Sequence, residues 1–216
     1  DTEGITSVLL AGSGEGSDVG KIKVLGLKST SAVHDGKWHH IASVYNVSNM
    51  KTYLFIDGNK EAEGTISSVS NFGNANNEFH VSGGFSRLSA GVTRYNAGIV
   101  NVVRVSDVPR YTASFTPALS FSSDNNTKAL WNMSEGSGTA VADASGNGYY
   151  LAISGASWVT DVPTGTTPSG GGNALSFDGS NTHVDLPEIS SDFGAENSSY
   201  TASLWFKDKK SDGNSV

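Results

Sequence analysis

Short apolar runs that alternate with polar residues at period two constrain this chain more than any other feature. Such runs build half-buried strands and cannot gather one apolar face on a helix. Residues 38–45 (WHHIASVY) set Trp38, His40, Ala42 and Val44 on one face. Residues 51–57 (KTYLFID) set Leu54 and Ile56 against Tyr53 and Phe55. Residues 200–207 (YTASLWFK) set Ala202, Leu204 and Phe206 against Ser203 and Trp205, and residues 21–27 (KIKVLGL) read as a further strand. Turn signals separate such runs: Asp57-Gly58-Asn59, Ser145-Gly146-Asn147-Gly148 and Asp178-Gly179. The spacing predicts more than about ten short strands in an all-β fold, a two-sheet antiparallel sandwich or jelly roll. Residues 110–115 (RYTASF) have the spacing of one helical turn.

Composition narrows the function classes. The chain holds 26 Gly, 33 Ser and 17 Asn, which is turn chemistry, yet its 37% hydrophobic content is too high for disorder. Fourteen Lys and Arg against 21 Asp and Glu give a net charge of -7, with no basic stripe for nucleic acid. The chain has no cysteine, which excludes a disulfide framework, thiolate metal sites and a Cys nucleophile. No apolar run approaches the ~20 residues of a membrane helix, so membrane insertion is not expected. The first residue is Asp1, with neither Met nor a signal peptide, as expected of a processed product or an excerpt of a longer chain. Residues 164–172 (TGTTPSGGG) read as a surface loop and residues 117–127 (PALSFSSDNNT) as a linker between halves of different character.

Few residues carry recognisable chemistry. Residues 143–148 read DASGNG, placing side-chain oxygens at Asp143, Ser145 and Asn147 before a turn glycine. Convergent oxygens from a short loop suit a hard cation; the same residues equally form an Asx-turn that bonds its own backbone. The twelfth position is Ser154 rather than a bidentate Glu, so the loop is not an EF-hand. His39 and His40 are adjacent in a strand and point to opposite faces, so they cannot share a metal; His34, His80 and His183 have no ligand spacing. Glu61 and Glu63 share a strand face, but follow a turn in a charged edge setting that does not suit a glycosidase pair. No G-x-S-x-G elbow occurs, and GSGEG at 12–16 lacks the Lys of a phosphate loop. No catalytic residue is expected. Aromatic residues total 20, from which Tyr149, Tyr150, Trp158, Phe85 and Tyr95 lie near loops and are the candidate ligand-binding rim. Trp38, Phe55, Phe177 and Leu204 are expected in the core.

Several phrases together resemble the laminin-G-like branch of the concanavalin A-like lectin/glucanase jelly rolls. These are DGKWHHIA at 35–42, TYLFIDG at 52–58 and AGIVNVVRVS at 97–106. RYTASFTP at 110–117 is similar to the ending of laminin-G-like domains in phage structural proteins. ALWNMSEGSGTAVADASGNGYY at 129–150 resembles the family's opening segment, continued by ALSFDGSNTHVDLP at 174–187 and by residues 200–207. The order is inverted: residues 1–122 resemble a closing half and 124–216 an opening half. One circularly permuted jelly roll spanning 1–216 fits this, as does a window cut from a tandem array. Permuted closure brings Asp1 and Val216 into one surface loop and sets residues 7–10 beside Ala202, Leu204 and Phe206.

The resemblance implies a non-catalytic adhesion or glycan-binding module, extracellular or on a virion surface. Its partner would be a glycan or surface protein. The alternative is a purely structural virion component, a capsid decoration or tail-associated protein binding other virion or array subunits rather than sugar. The resemblance also implies one structural calcium ion near Asp143, Ser145, Asn147 and the closing strand at Asn101. There the family's usual acidic pair appears as Asn101 and Val102, so weak affinity is expected.

Overall fold

The computed structural model describes residues 10–13, 19–24, 27–66, 80–81, 83–84, 94–95, 97–164, 172–185 and 198–209. Apart from one 3-10 turn at Val47–Asn49, every regular element among them is a strand. In chain order these are β1 (Leu10–Ser13), β2 (Val19–Val24), β3 (Leu27–Ala32), β4 (Trp38–Asn46), β5 (Lys51–Ile56) and β6 (Asn59–Thr65). There follow β7 (His80–Val81), β8 (Gly83–Gly84), β9 (Arg94–Tyr95), β10 (Ala97–Ser106), β11 (Thr127–Trp131) and β12 (Ala140–Val141). The last are β13 (Leu151–Ser154), β14 (Ser157–Val159), β15 (Ala174–Asp178), β16 (His183–Asp185) and β17 (Tyr200–Asp208). The fold is all-β with antiparallel ladders, as in a concanavalin A-like sandwich.

An eight-stranded sheet dominates, in the order β14-β15-β10-β17-β4-β5-β6, with β11 pairing β10 beside β15. A four-stranded sheet runs β12-β13-β16-β7, a three-stranded sheet runs β1-β2-β3, and β8 pairs β9. Strand β17 sits between β10 and β4, so an element from the second half of the sequence lies between two from the first. Its register pairs Leu204 with Val103 on one side and with Ile41 on the other.

Alternation decides what each face of the large sheet meets. Ile41, Leu54, Val103, Leu204 and Phe206 share one cluster with Val141 of β12, Leu151 of β13 and Val184 of β16. The four-stranded sheet therefore closes the inner face, and each such buried side chain contributes about 1.5–3 kcal/mol. The outer face is covered differently. Ala42, Val44, Tyr53 and Phe55 pack under Tyr111 and Phe115, while Val102, Leu130 and Trp205 pack with Phe121. The covering residues belong to segment 107–123, which has no strand or helix of its own. The sheet is thus buried on both faces at its centre, which is why β17 is buried along nearly its whole length.

The segment's close approach depends on the β5–β6 hairpin. Asp57 (φ 52°) and Gly58 (φ 77°) both adopt positive φ, the signature of a two-residue type I′ turn. A Cβ on Gly58 would strike the Phe115 carbonyl oxygen, and the Phe115 amide donates to the Gly58 oxygen at 2.9 Å.

Three expectations are corrected. Residues 21–27 do not make one strand: 21–24 belong to β2 and Leu27 opens β3, and the two pair antiparallel with Val24 opposite Leu27. Residues 110–115 form no helical turn and pass through bends. Trp38, expected in the core, is only half-buried; Phe55, Phe177 and Leu204 are buried as expected, Phe55 in the outer cluster and the other two in the inner core. Residues 1–9, 165–171 and 210–216 lie outside the described residues. The joined termini, residues 7–9 of the expected 7–10 strand and most of the 164–172 loop therefore do too, while Leu10 opens β1.

Candidate functional site

The loop DASGNG is the best-built rim element. Residues 143–150 are tied to β11 by Leu130 N donating to Asp143 Oδ1 at 3.0 Å and Ala144 N donating to Leu130 O at 2.7 Å. Ser145 Oγ donates to Lys128 O at 3.2 Å, and Asn147 Nδ2 donates to Thr127 O and Lys128 O at 3.1 and 2.9 Å. The loop stands as a rigid platform next to Tyr149 and Tyr150.

The same bonds test the loop against a calcium ion. Asp143 Oδ1 also accepts from Ser145 N at 2.8 Å, and Oδ2 accepts from Ser145 Oγ at 2.7 Å and Tyr149 N at 3.1 Å. Four donors fill the acceptor capacity of that carboxylate. Asn101, at the β10 bulge, donates instead to Asn173 O at 2.9 Å. Among the described residues no group of three or more His, Asp or Glu side chains is placed to hold a metal. As arranged, this donor set does not fit a calcium ion; it forms the Asx-turn that the spacing also allowed.

The rim aromatics separate by exposure. Tyr149 and Trp158 pack partly buried against the inner core, with Trp158 Nε1 donating to Gly138 O at 3.0 Å. Tyr150 is 53% exposed and presents its ring to solvent. Phe85 lies outside the described residues, as does the side chain of Tyr95, whose backbone belongs to β9.

Residues 10–114 match the family model of the concanavalin A-like lectin/glucanases superfamily, in its laminin-G form. The chain carries a laminin-G-like segment of that superfamily. Neither a curated protein nor a solved structure matches it. Laminin-G-like domains are generally non-catalytic binders of carbohydrate or protein.

Within the laminin-G-like segment, the phrase DGKWHHIA builds two opposed environments. His39 turns toward carboxylates, with Nδ1 2.7 Å from Asp57 Oδ2 and Nε2 3.0 Å from Asp35 Oδ1. The bond to Asp57 raises the imidazole above its ordinary value, against burial. Burial would raise Asp35, but bonds from His39 and Lys37 outweigh it and hold that carboxyl at about 2. Beyond Asp35, Asp208 at the end of β17 pairs with His34; burial raises its carboxyl and the histidine opposes this. His40 faces the other way, into the aromatic cover. The sequence placed the two rings on opposite faces, but Asp208 beside His34 is a tertiary pairing with no spacing signal.

The laminin-G-like segment also contains the carboxylate pair weighed for hydrolysis. Glu61 accepts from Thr30 N at 2.9 Å and from Ser31 N and Ser31 Oγ at 2.8 Å each. Burial would raise it, and these donors overcome that and lower it. Glu63 is lowered by Lys60 and Lys51, 2.8 and 3.1 Å away. A glycosidase acid needs the opposite shift.

Proposed function

We propose that this chain is a non-catalytic adhesion or glycan-recognition module that works at an extracellular or virion surface. The laminin-G-like match is the observation that carries the binding reading. The lowered, fully engaged Glu61 and Glu63 support binding without hydrolysis. Residues 1–216 act in this reading as one sandwich in permuted order, supported by β17 lying between β10 and β4. Arg110 adds support: its guanidinium grips Asp124 at 2.9 and 2.6 Å, clasping the junction between the two halves.

The ligand is contacted at the rim by Tyr150, whose exposed ring stands on the hydrogen-bonded loop. Sugars and protein surfaces both use such rings, which offer a large apolar face at low entropy cost. Tyr150→Ala is expected to weaken binding about tenfold, ~1.4 kcal/mol, without changing the unfolding midpoint. Calorimetry against a ligand recovered from a glycan panel measures this. Unchanged affinity would remove Tyr150 from the site, and self-assembly without any glycan bound would favour a structural virion component.

A further inference from the structure

The cover on the outer face of the large sheet is built around a polar group that nothing satisfies. His40 is fully buried, and neither ring nitrogen has a hydrogen-bond partner. Four aromatic rings meet it edge-on: Phe115 and Trp205 at 5.5 Å, Phe121 at 5.8 Å and Tyr111 at 6.4 Å between centroids. Three of these rings are carried by segment 107–123. A buried imidazole without partners costs stability that a phenylalanine of similar volume would not, so the site resembles a device more than a packing solution.

The segment is pinned at its ends and lightly held between them. At the ends, Arg110 grips Asp124 and donates from Nε to Ser106 Oγ and from its backbone to Thr201 Oγ1. Between those points it adds no strand to the sheet. It is held by Phe115 N to Gly58 O (2.9 Å), Lys60 N to Ser114 Oγ (3.1 Å), Trp205 Nε1 to Ala118 O (3.0 Å) and Arg104 to Tyr111 Oη (3.0 Å). A compact loop with close ends, packed by its own side chains, is the kind of element that opens as a unit. Tyr111 and Phe115 stack at 3.7 Å, so the two rings lift together.

We propose that residues 111–121 are an acid-released strap, closed over the aromatic face at neutral pH and opened when His40 takes up a proton.

The charges facing His40 fit this. Arg104 of β10 stands on the same face, its guanidinium 4.5 Å from the Phe121 ring, and repels an imidazolium. Among the described residues Asp57, at the β5 turn, is the one opposing charge; its Oδ1 accepts the His40 backbone amide and its Oδ2 is already committed to His39. Tyr111 contributes a neutral phenol, and Phe115, Phe121 and Trp205 contribute no charge. Burial, the largest influence, with Arg104 adding to it, holds the closed-state His40 at about 3, against Asp57. An opened strap returns it to water, where its value is about 6.5. Opening therefore becomes about tenfold more populated for each pH unit below ~6.5, and about 30-fold more at pH 5.0 than at pH 7.5.

Amide hydrogen exchange on the intact chain, corrected for intrinsic rates, tests this. The expected result is that the Phe115 and Lys60 amides lose about 30-fold protection between pH 7.5 and 5.0 and remain less protected than β17 amides at both. His40→Leu is expected to abolish the pH dependence while keeping the strap's protection. Should that variant fail to fold, the wild-type profile decides alone. A flat profile at Phe115, protection equal to that of β17 at both pH values, or a His40→Leu protein with the same pH dependence would each overturn the proposal.

Discussion

Phe206→Ala is expected to lower the unfolding free energy by about 3–5 kcal/mol, among the largest effects of a single core truncation here. Phe206 is fully buried in the inner cluster and lies on β17, where it pairs with Val100 on one side and His39 on the other. No gap-filling movement is cheap, because both neighbouring strands are fixed by their own ladders. Gly98 of β10 lies directly against the ring, which is why that position has no side chain. Urea denaturation measures the effect. A loss under about 1 kcal/mol would mean that β17 is not a central strand.

The second large effect is an acid limb in global stability. A buried histidine whose folded value lies below its unfolded one leaves the unfolded state binding more protons. Stability therefore falls as pH drops below ~6.5 and continues to fall until the folded value is passed. With His40 held at about 3, its share is about 2 kcal/mol between pH 7 and pH 5. His39 has the opposite sign. Its raised value gives stability that is complete below ~6.5 and lost as pH rises through the folded value, so two adjacent residues place the optimum near neutrality. Asp208, raised by burial, binds its proton first in the folded state and opposes the acid limb. His40→Leu isolates the histidine share: the acid limb should flatten by about 2 kcal/mol at pH 5 relative to wild type. Parallel pH profiles for the two proteins would contradict the buried, unpartnered histidine.

Much of the sandwich was legible because period-two patterning reports faces directly. Leu54 and Ile56 face the inner core and Tyr53 and Phe55 the outer face, as alternation required. His39 and His40 divide the same way. The outer cover was not legible, since segment 107–123 has no period to read. Tyr111 and Phe115, four apart, have the spacing of one helical turn; in the structure the chain bends and stacks those rings over the sheet. The 21–27 run misled for a related reason: two antiparallel strands with apolar residues near their adjoining ends read as one strand.

The candidate site was legible in part. DASGNG stated a loop with converging oxygens, and the sequence could not say whether they turn outward to a cation or inward to the chain. The Leu130 amide, 13 residues from Asp143, and the carbonyls of Thr127 and Lys128, 20 and 19 residues from Asn147, fix them inward. Tyr150 and Trp158 looked alike as loop aromatics. Pairing of β14 with β15 draws Trp158 onto the inner core and leaves Tyr150 outside. Such distinctions depend on partners distant in sequence, which local spacing does not encode.

Binding without turnover is the central claim, and one measurement tests it most directly. The intact chain is incubated with each glycan that it retains on a panel, and new reducing ends are counted alongside bound ligand. The account predicts saturable binding with no product released beyond buffer. Reducing ends accumulating in proportion to protein and time, and lost in the double variant E61Q/E63Q, would contradict it.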